Sequence, residues 1–188
     1  MAEMNRLARW MVNVRTEGRG RRALARLGRE LRIPSAARVL ELGCGGGGLL
    51  ALIRERFQPA RLVGTDFDPA QVQSARAFLT IRWGDVPPTV ELREADALRL
   101  PFPDASFDVV FAMMMLHHVE SRPNQYVQRP RALQEVRRVL VPGGALVYSE
   151  ILRRQEIRRT LAELGFHTVF LRSSWRADLS IVRASAPG

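Results

Sequence analysis

The stretch Val39–Leu50 reads VLELGCGGGGLL, in which an apolar run leads into five glycines, four of them consecutive at residues 45–48. Glycine loses more conformational entropy on folding than any other residue, so such a cluster needs a compensating use. An apolar strand, a glycine turn and an apolar helix start form the unit in which α/β proteins bring backbone close to a ligand. The stretch therefore predicts a cradle for a nucleotide-like ligand.

Strand and helix patterns alternate on both sides of this turn. The predicted strands are 38–42, 61–66, 89–93, 107–113 and 145–149, the predicted helices are 47–56, 69–81, 130–140 and 153–164, and residues 169–171 and 179–183 form a final antiparallel pair. Alternation of this kind is typical of a parallel sheet covered by helices. The predicted fold class is α/β, Rossmann-like and doubly wound, with a mostly parallel seven-stranded sheet, an antiparallel C-terminal strand and extra N-terminal helices.

The extra N-terminal helices are predicted from two amphipathic segments, residues 3–16 and 20–32. Gly18 and Gly20 are expected to separate the two helices, and Pro34 is expected to stop the second one.

The length of 188 residues fits one domain, which we divide into an N-terminal helical lid at residues 1–34 and a Rossmann-like core at residues 38–185. A single cysteine, Cys44, excludes an internal disulfide and fits a reducing compartment. The longest apolar run, Val109–Leu116, is too short to cross a bilayer. These features predict a cytoplasmic protein without a transmembrane segment, and the sequence predicts no metal site.

Acidic residues lie at or near the carboxyl ends of the first three predicted strands. Glu41 lies inside the first strand, where a carboxylate suits an ammonium group and is a poor neighbour for a pyrophosphate. Asp66 closes the second strand and is placed to accept from two ribose hydroxyls, since Asp68 before a proline is the better helix cap and leaves Asp66 free. Asp96 and the Ala97 amide, after the third strand, suit an adenine edge. The three acids indicate one ligand with an amine, a ribose and an adenine.

The glycine turn itself fits two patterns. Gly43, Gly45 and Gly48 match the G-x-G-x-x-G pattern of dinucleotide sites, whereas Gly43, Gly45 and Gly47 match the G-x-G-x-G pattern of S-adenosylmethionine enzymes. The glycines alone do not choose between the two, and the acids around them favour the second.

Four runs carry a resemblance to a known family: VLELGCGGG, VGTDFDPAQV, ADALRLPFPDASFDVVFAMMMLHHV and EVRRVLVPGGALV, which together cover residues 38–148. With them the sequence resembles the class I S-adenosylmethionine-dependent methyltransferases, and within these the methyltransferase type 11 group related to the ubiquinone/menaquinone methyltransferases. The resemblance implies S-adenosylmethionine as cofactor and S-adenosylhomocysteine as product. It implies a cofactor site formed by Glu41, Gly43, Cys44, Gly45, Gly47, Asp66, Phe67, Asp96, Ala97 and Met113.

Some of these residues take distinct expected roles. Glu41 and the glycines would cradle the methionine half, and Met113 would offer backbone to it. Cys44 is expected to be a small filler in the turn and not a nucleophile.

His117 and His118 are the candidate catalytic residues. They stand just beyond the fourth strand, where the family places its acceptor, and one of them would deprotonate or orient the acceptor. The alternative is that the pair is structural, because a sulfonium methyl is already activated and transfer then needs mainly alignment.

The distribution of charge along the chain does not identify the methyl acceptor. All 29 basic residues are arginine, and the net charge of +10 divides into +7 for residues 1–38, −1 for 39–150 and +4 for 151–188. The basic ends reflect either arginine-biased composition or an acidic partner such as RNA, a phosphorylated metabolite or a lipid surface. The first hypothesis is methyl transfer to a small molecule, for which an acidic or lipid-like substrate is one option. The second is an RNA or protein methyltransferase that docks its substrate on the arginine-rich ends. The third, from another class, is a nicotinamide-binding oxidoreductase or a non-catalytic cofactor-binding protein.

Overall fold

Helices and strands alternate along the part of the chain that the structure describes. The computed structural model describes residues 6–119, 128–174 and 177–185, with side chains from residue 17 onward. The helices are α1 Arg6–Leu27, α2 Gly48–Phe57, α3 Pro69–Trp83, α4 Gln128–Val139 and α5 Arg154–Glu163. The strands are β1 Arg38–Leu42, β2 Arg61–Asp66, β3 Val90–Glu94, β4 Phe107–Met113, β5 Leu140–Glu150, β6 Phe166–Ser173 and β7 Asp178–Ala184.

All seven strands form one sheet in the order β3-β2-β1-β4-β5-β7-β6. The pairs β1–β2, β2–β3, β1–β4 and β4–β5 are parallel, and β7 is antiparallel to both β5 and β6. The predicted fold class is confirmed. The chain winds from β1 toward β3 and then crosses back to β4 on the other side of β1, so a crevice opens at the carboxyl ends of β1 and β4.

Two hydrophobic cores lie on the two faces of the sheet. Because side chains alternate along a strand, Val39 and Leu40 of β1 point to opposite faces and belong to different cores. One core receives the buried faces of α1, α2 and α3, for example Leu24, Leu50 and Leu79. The other core receives α4 and α5 through residues such as Leu133, Val136, Ile157 and Leu161. Covering both faces leaves the edge at the carboxyl ends of the parallel strands as the open edge of the sheet.

A single helix replaces the two N-terminal helices that the sequence predicted. Residues 3–5 of the first predicted helix lie outside the described residues, and α1 continues through Gly18 and Gly20 without a break. A Cβ built on Gly20 would lie 3.2 Å from Leu49 Cδ1 and 3.3 Å from Leu52 Cδ1. Gly20 therefore permits close packing of α1 on α2, and this tertiary contact offsets the weak helix propensity of glycine.

The end of α1 also comes earlier than predicted. Gly28 follows the helix with φ +52°, and its N–H donates to the Leu24 carbonyl at 3.2 Å. This left-handed glycine is a common C-terminal cap, and it ends the helix before Pro34 is reached.

Strand β5 is longer than the predicted 145–149. It begins at Leu140, which pairs with Phe107, and the register then shifts so that Ala145 pairs with Val109. The Pro142-Gly143-Gly144 segment forms the resulting bulge, with Gly143 at φ +75°. The predicted final strands, 169–171 and 179–183, lie within β6 and β7, which are likewise longer than predicted. The remaining predicted boundaries agree with the structure within two residues.

Within the described ranges, no helix combines the length and apolar character needed to cross a bilayer.

Candidate functional site

A cavity of about 1280 Å³ opens at the carboxyl ends of the central strands. Its lining contains most of the residues that the sequence assigned to the cofactor, namely Glu41, Gly43, Cys44, Gly45, Asp66, Phe67, Asp96, Ala97 and Met113. His118 lines it as well. Gly47 and His117, also predicted as site residues, are not among the lining residues. Parallel strands end at the same edge of the sheet, which explains how residues up to 77 positions apart meet here.

The three motif glycines of the turn serve different purposes. A Cβ on Gly43 would lie 2.8 Å from Met115 Cβ, and a Cβ on Gly47 would lie 3.2 Å from Ala75 Cβ. At both positions a side chain would therefore collide with a packed neighbour. Gly45 has φ +51°, and a Cβ built there meets no atom within 4 Å. Because Gly45 lines the cavity, its missing side chain leaves space that a ligand can use.

Glu41 is a buried carboxyl group without a full set of partners. It lies in the central strand β1, is 3% exposed, and its Oε2 atom has no hydrogen-bond partner. Burial, assisted by the nearby Asp66 charge, raises the pKa of Glu41 well above its ordinary value. An unpartnered polar atom at 3% exposure is costly, and an ammonium group in the cavity would satisfy it.

Asp66 does not cap α3, as predicted, but its carboxylate accepts two hydrogen bonds from backbone amides. Its Oδ2 accepts from the Gly45 N–H at 2.9 Å, and its Oδ1 accepts from the Asp68 N–H at 3.0 Å. A carboxylate has about four lone-pair sites, so acceptor capacity for a diol remains. The predicted cap at Asp68 is confirmed, because its Oδ1 accepts from the Ala70 N–H at 2.9 Å with Pro69 in the first turn of α3.

Asp66 and Asp68 therefore provide a matched pair of variants. Asp66→Ala is expected to weaken S-adenosylhomocysteine binding about ten- to hundred-fold, which corresponds to the roughly 1.5–3 kcal/mol of hydrogen bonds to a charged group. Asp68→Ala is expected to lower the free energy of unfolding by about 1 kcal/mol and to leave that affinity unchanged. Calorimetry and chemical denaturation of both variants check this, and the reverse pattern would show that Asp68 holds the ligand.

Residues that follow the third strand line another part of the cavity. Asp96 Oδ1 accepts from the Leu98 N–H at 2.9 Å, which fixes the turn that presents Asp96 and Ala97 to the cavity. Phe67 also lines the cavity and is 62% exposed, which is unusual for a large apolar side chain. An aromatic ring next to an acid and a backbone amide can hold a flat heterocycle by stacking and edge hydrogen bonds.

The histidine pair depends on a residue that the sequence reasoning missed. Glu150, at the end of β5, is 0% exposed, and its Oε1 lies 2.8 Å from His117 Nδ1. Its Oε2 accepts from the His117 N–H at 3.0 Å. The predicted β5 ended at Ser149, one residue too early, so no signal tied Glu150 to the site. Together the two contacts fix the His117 ring and backbone.

His118 is the histidine that faces the cavity. Its ring lies against the His117 ring, with centroids 4.1 Å apart. Burial and the neighbouring His117 lower the pKa of His118 from its ordinary value, and this outweighs the opposite effect of Glu150 and Asp66. The imidazole is thus neutral near pH 7 and able to accept a proton.

Cys44 is 1% exposed, and its thiol lies within the glycine turn. Burial, with the charges of Glu41 and Asp66, raises its pKa well above the ordinary value. A thiol held protonated is a poor nucleophile, in agreement with its expected role as a filler.

The described residues contain no group of three or more histidine, cysteine or acidic side chains arranged to hold a metal ion.

The chain is similar to known methyltransferases. The family whose description is "Methyltransferase domain" matches residues 40–148. The chain is similar to the demethylmenaquinone methyltransferase of Thermus thermophilus, with 38% identity over 113 residues, which are 60% of this chain and 46% of that protein. It is also similar to the 27-O-demethylrifamycin SV methyltransferase of Amycolatopsis mediterranei, with 35% identity over 129 residues, 68% of this chain and 43% of that one. The chain thus spans less than half the length of these curated relatives.

Among solved structures, the fold is similar to that of a chain in the complex between the Haloferax volcanii Trm112 methyltransferase activator and a methyltransferase. The TM-score is 0.76 at 20% sequence identity, over 94% of both chains. Similarity at this identity shows the fold.

Proposed function

The chain belongs to the Methyltransferase domain family, whose match covers more than half of it, and from this premise we propose that it transfers a methyl group from S-adenosylmethionine to a small-molecule acceptor. The observation that carries the proposal is the meeting of Glu41, Gly45, Asp66 and Asp96 around one cavity at the switch point of the sheet.

The residues present fit this cofactor. The unpartnered Glu41 carboxyl would bind the methionine ammonium, Asp66 the ribose hydroxyls, and Asp96 with the Ala97 amide the adenine edge beside Phe67. The open space at Gly45 gives the chain of the ligand room against the backbone, and Met113 offers backbone near it. When bound, S-adenosylmethionine supplies an activated methyl group on a sulfonium.

Proton handling would fall to the histidines. His118 faces the cavity with a lowered pKa and would take a proton from an acceptor hydroxyl or amine. Glu150 accepts from His117 and holds it against the His118 ring, so His117 is a positioning residue in this proposal.

Helix α1 would form one wall of the acceptor space. Gly20 and Ala23 of α1 line the cavity together with the strand ends, which supports the role of the N-terminal segment as a cover of the site.

The acceptor class is tested by transfer of labelled methyl from S-adenosylmethionine into fractionated cell extract. We expect label in the small-molecule or lipid-soluble fraction, in line with the relatives named for demethylmenaquinone and demethylrifamycin. Label confined to RNA or protein would contradict the small-molecule proposal and support the docking alternative.

Glu41 gives a prediction that needs no acceptor. Because its pKa is raised in the free protein and an adjacent ammonium would lower it, binding of S-adenosylhomocysteine is expected to release protons at pH values below the raised pKa. Affinity should therefore rise with pH between the ordinary glutamate range and the raised pKa. Calorimetry in two buffers with different ionisation enthalpies measures the proton count.

The control for that experiment is Glu94→Gln, which alters an exposed carboxylate in β3. Proton release should persist in Glu94→Gln and disappear in Glu41→Gln. Equal release in all three proteins would show that Glu41 does not meet the ammonium.

A further inference from the structure

Three arginines of α1 line the same cavity as the proposed cofactor site: Arg19, Arg22 and Arg26. Their spacing places them on one face of the helix, over a length of about 10 Å. The side chains are exposed and reach the cavity from the helix that covers it. Arg172, near the end of β6, lines the cavity as well.

These arginines differ from their neighbour in how they are paired. Arg21, which does not line the cavity, donates to Glu17 at 2.8 Å, and Glu17 also accepts from Arg82 at 3.1 Å. Within the described ranges, no ion pair or hydrogen bond of a side chain reaches Arg19, Arg22 or Arg26. Among the arginines of α1 whose side chains are described, the three that line the cavity are therefore the ones without such a partner.

In the part of the chain that the structure describes, no ion pair joins these arginines to the acidic residues of the cavity. Asp66, Asp68 and Asp96 accept from backbone amides at the strand ends, as described above. Asp178 is 0% exposed and is paired with Arg154 at 3.3 Å. Burial raises the pKa of Glu41 well above its ordinary value. The three guanidinium groups thus bring positive charge to the α1 side of the cavity.

The lining also contains apolar residues. We call six of them the apolar floor of the cavity: Leu49, Met114, Met115, Val119, Ile151 and Leu179. Ile151 is 41% exposed, whereas Leu49, Met115 and Leu179 are at most 9% exposed, so part of the apolar floor is accessible. A cavity lined by these arginines and by the apolar floor is complementary to a molecule with an anionic head and an apolar body.

We propose that the methyl acceptor is a small anionic amphiphile, whose carboxylate or phosphate is held by Arg19, Arg22 and Arg26 while its apolar part lies on the floor of the cavity. The inference rests on the proposed function and specifies its substrate class. Guanidinium groups suit this role because they bind carboxylate and phosphate oxygens in pairs.

The test measures binding of probes to protein saturated with S-adenosylhomocysteine. Octanoate carries a carboxylate head and octyl phosphate carries a phosphate head. Octanol, with the same chain length and no charge, is the control. We expect both anions to bind more tightly than octanol, and the tighter of the two identifies the head group. Octanol binding as tight as that of both anions would overturn the proposal.

Two triple variants separate the arginines of the cavity from the overall charge. Arg19→Gln/Arg22→Gln/Arg26→Gln should weaken binding of the anions about ten-fold or more and leave octanol unchanged. The control Arg29→Gln/Arg32→Gln/Arg76→Gln removes the same charge at exposed positions outside the lining and should change neither. Equal weakening in both triples would attribute the effect to net charge and overturn the site.

Two further readouts complete the experiment. A short single-stranded RNA that binds more tightly than either anion, and loses affinity in the first triple with a steep salt dependence, would replace the amphiphile by a polyanion. The affinity for S-adenosylhomocysteine is measured separately in every variant and should be unchanged. Absence of that binding in the unaltered protein would refute the proposed function itself, whereas failure of the anionic probes alone refutes only the substrate class.

Discussion

Gly45→Val is expected to abolish detectable binding of S-adenosylhomocysteine while the protein still folds. A Cβ at Gly45 meets no protein atom within 4 Å, so the valine side chain would stand in the cavity that the ligand needs. The position has φ +51°, and a side chain there costs about 1–2 kcal/mol of backbone strain. That strain lowers stability without unfolding a protein of ordinary stability. Calorimetry with thermal unfolding of the same sample measures both effects.

The matched control is Gly143→Val. Gly143 has φ +75°, and a Cβ there also meets nothing within 4 Å, but the residue lies in the β5 bulge away from the cavity. The control should show similar strain and unchanged affinity. A folded Gly45→Val protein that binds with unaltered affinity would contradict the position of the ligand at the glycine turn.

His118→Ala is expected to lower the rate of methyl transfer about 100-fold or more and to leave cofactor affinity unchanged. A rate loss of this size is typical when a positioned general base is removed, and we expect it when the acceptor binds in its protonated form. Because the pKa of His118 lies below its ordinary 6.5, the unaltered enzyme should keep full activity near pH 7 and lose it as the pH falls through the lowered pKa. Transfer of labelled methyl to the accepting extract fraction, followed over pH, measures this.

His167→Ala provides the control, since His167 is exposed on β6 and does not line the cavity. Its rate and pH profile should match those of the unaltered enzyme. In His118→Ala the acid limb of the profile should disappear. An unchanged rate and an unchanged limb in His118→Ala would make the histidine pair structural.

Much of the site could be predicted because its residues are fixed by local patterns. The apolar run to Leu42, the glycines and the acids at strand ends each have a sequence signal within a few residues. Parallel strands then bring their carboxyl ends together, so Glu41, Asp66 and Asp96 meet without any further information.

The features that escaped prediction depend on contacts between distant segments. Continuity of α1 follows from the packing of Gly20 on Leu49, which a glycine in the sequence does not reveal. The role of Glu150 follows from its contact with His117 across 33 positions. The difference between Gly45 and Gly47 likewise appears only when the neighbours of each missing side chain are known.

Calorimetric titration of the unaltered protein with S-adenosylhomocysteine and, separately, with NADH tests the central claim most directly. The geometry of Glu41, Gly45, Asp66 and Asp96 predicts saturable binding of S-adenosylhomocysteine and no binding of NADH, because the unpartnered Glu41 carboxyl beside the glycine turn can accept from an ammonium and offers no donor to a pyrophosphate. Binding of NADH without binding of S-adenosylhomocysteine would contradict the account and identify a nicotinamide site.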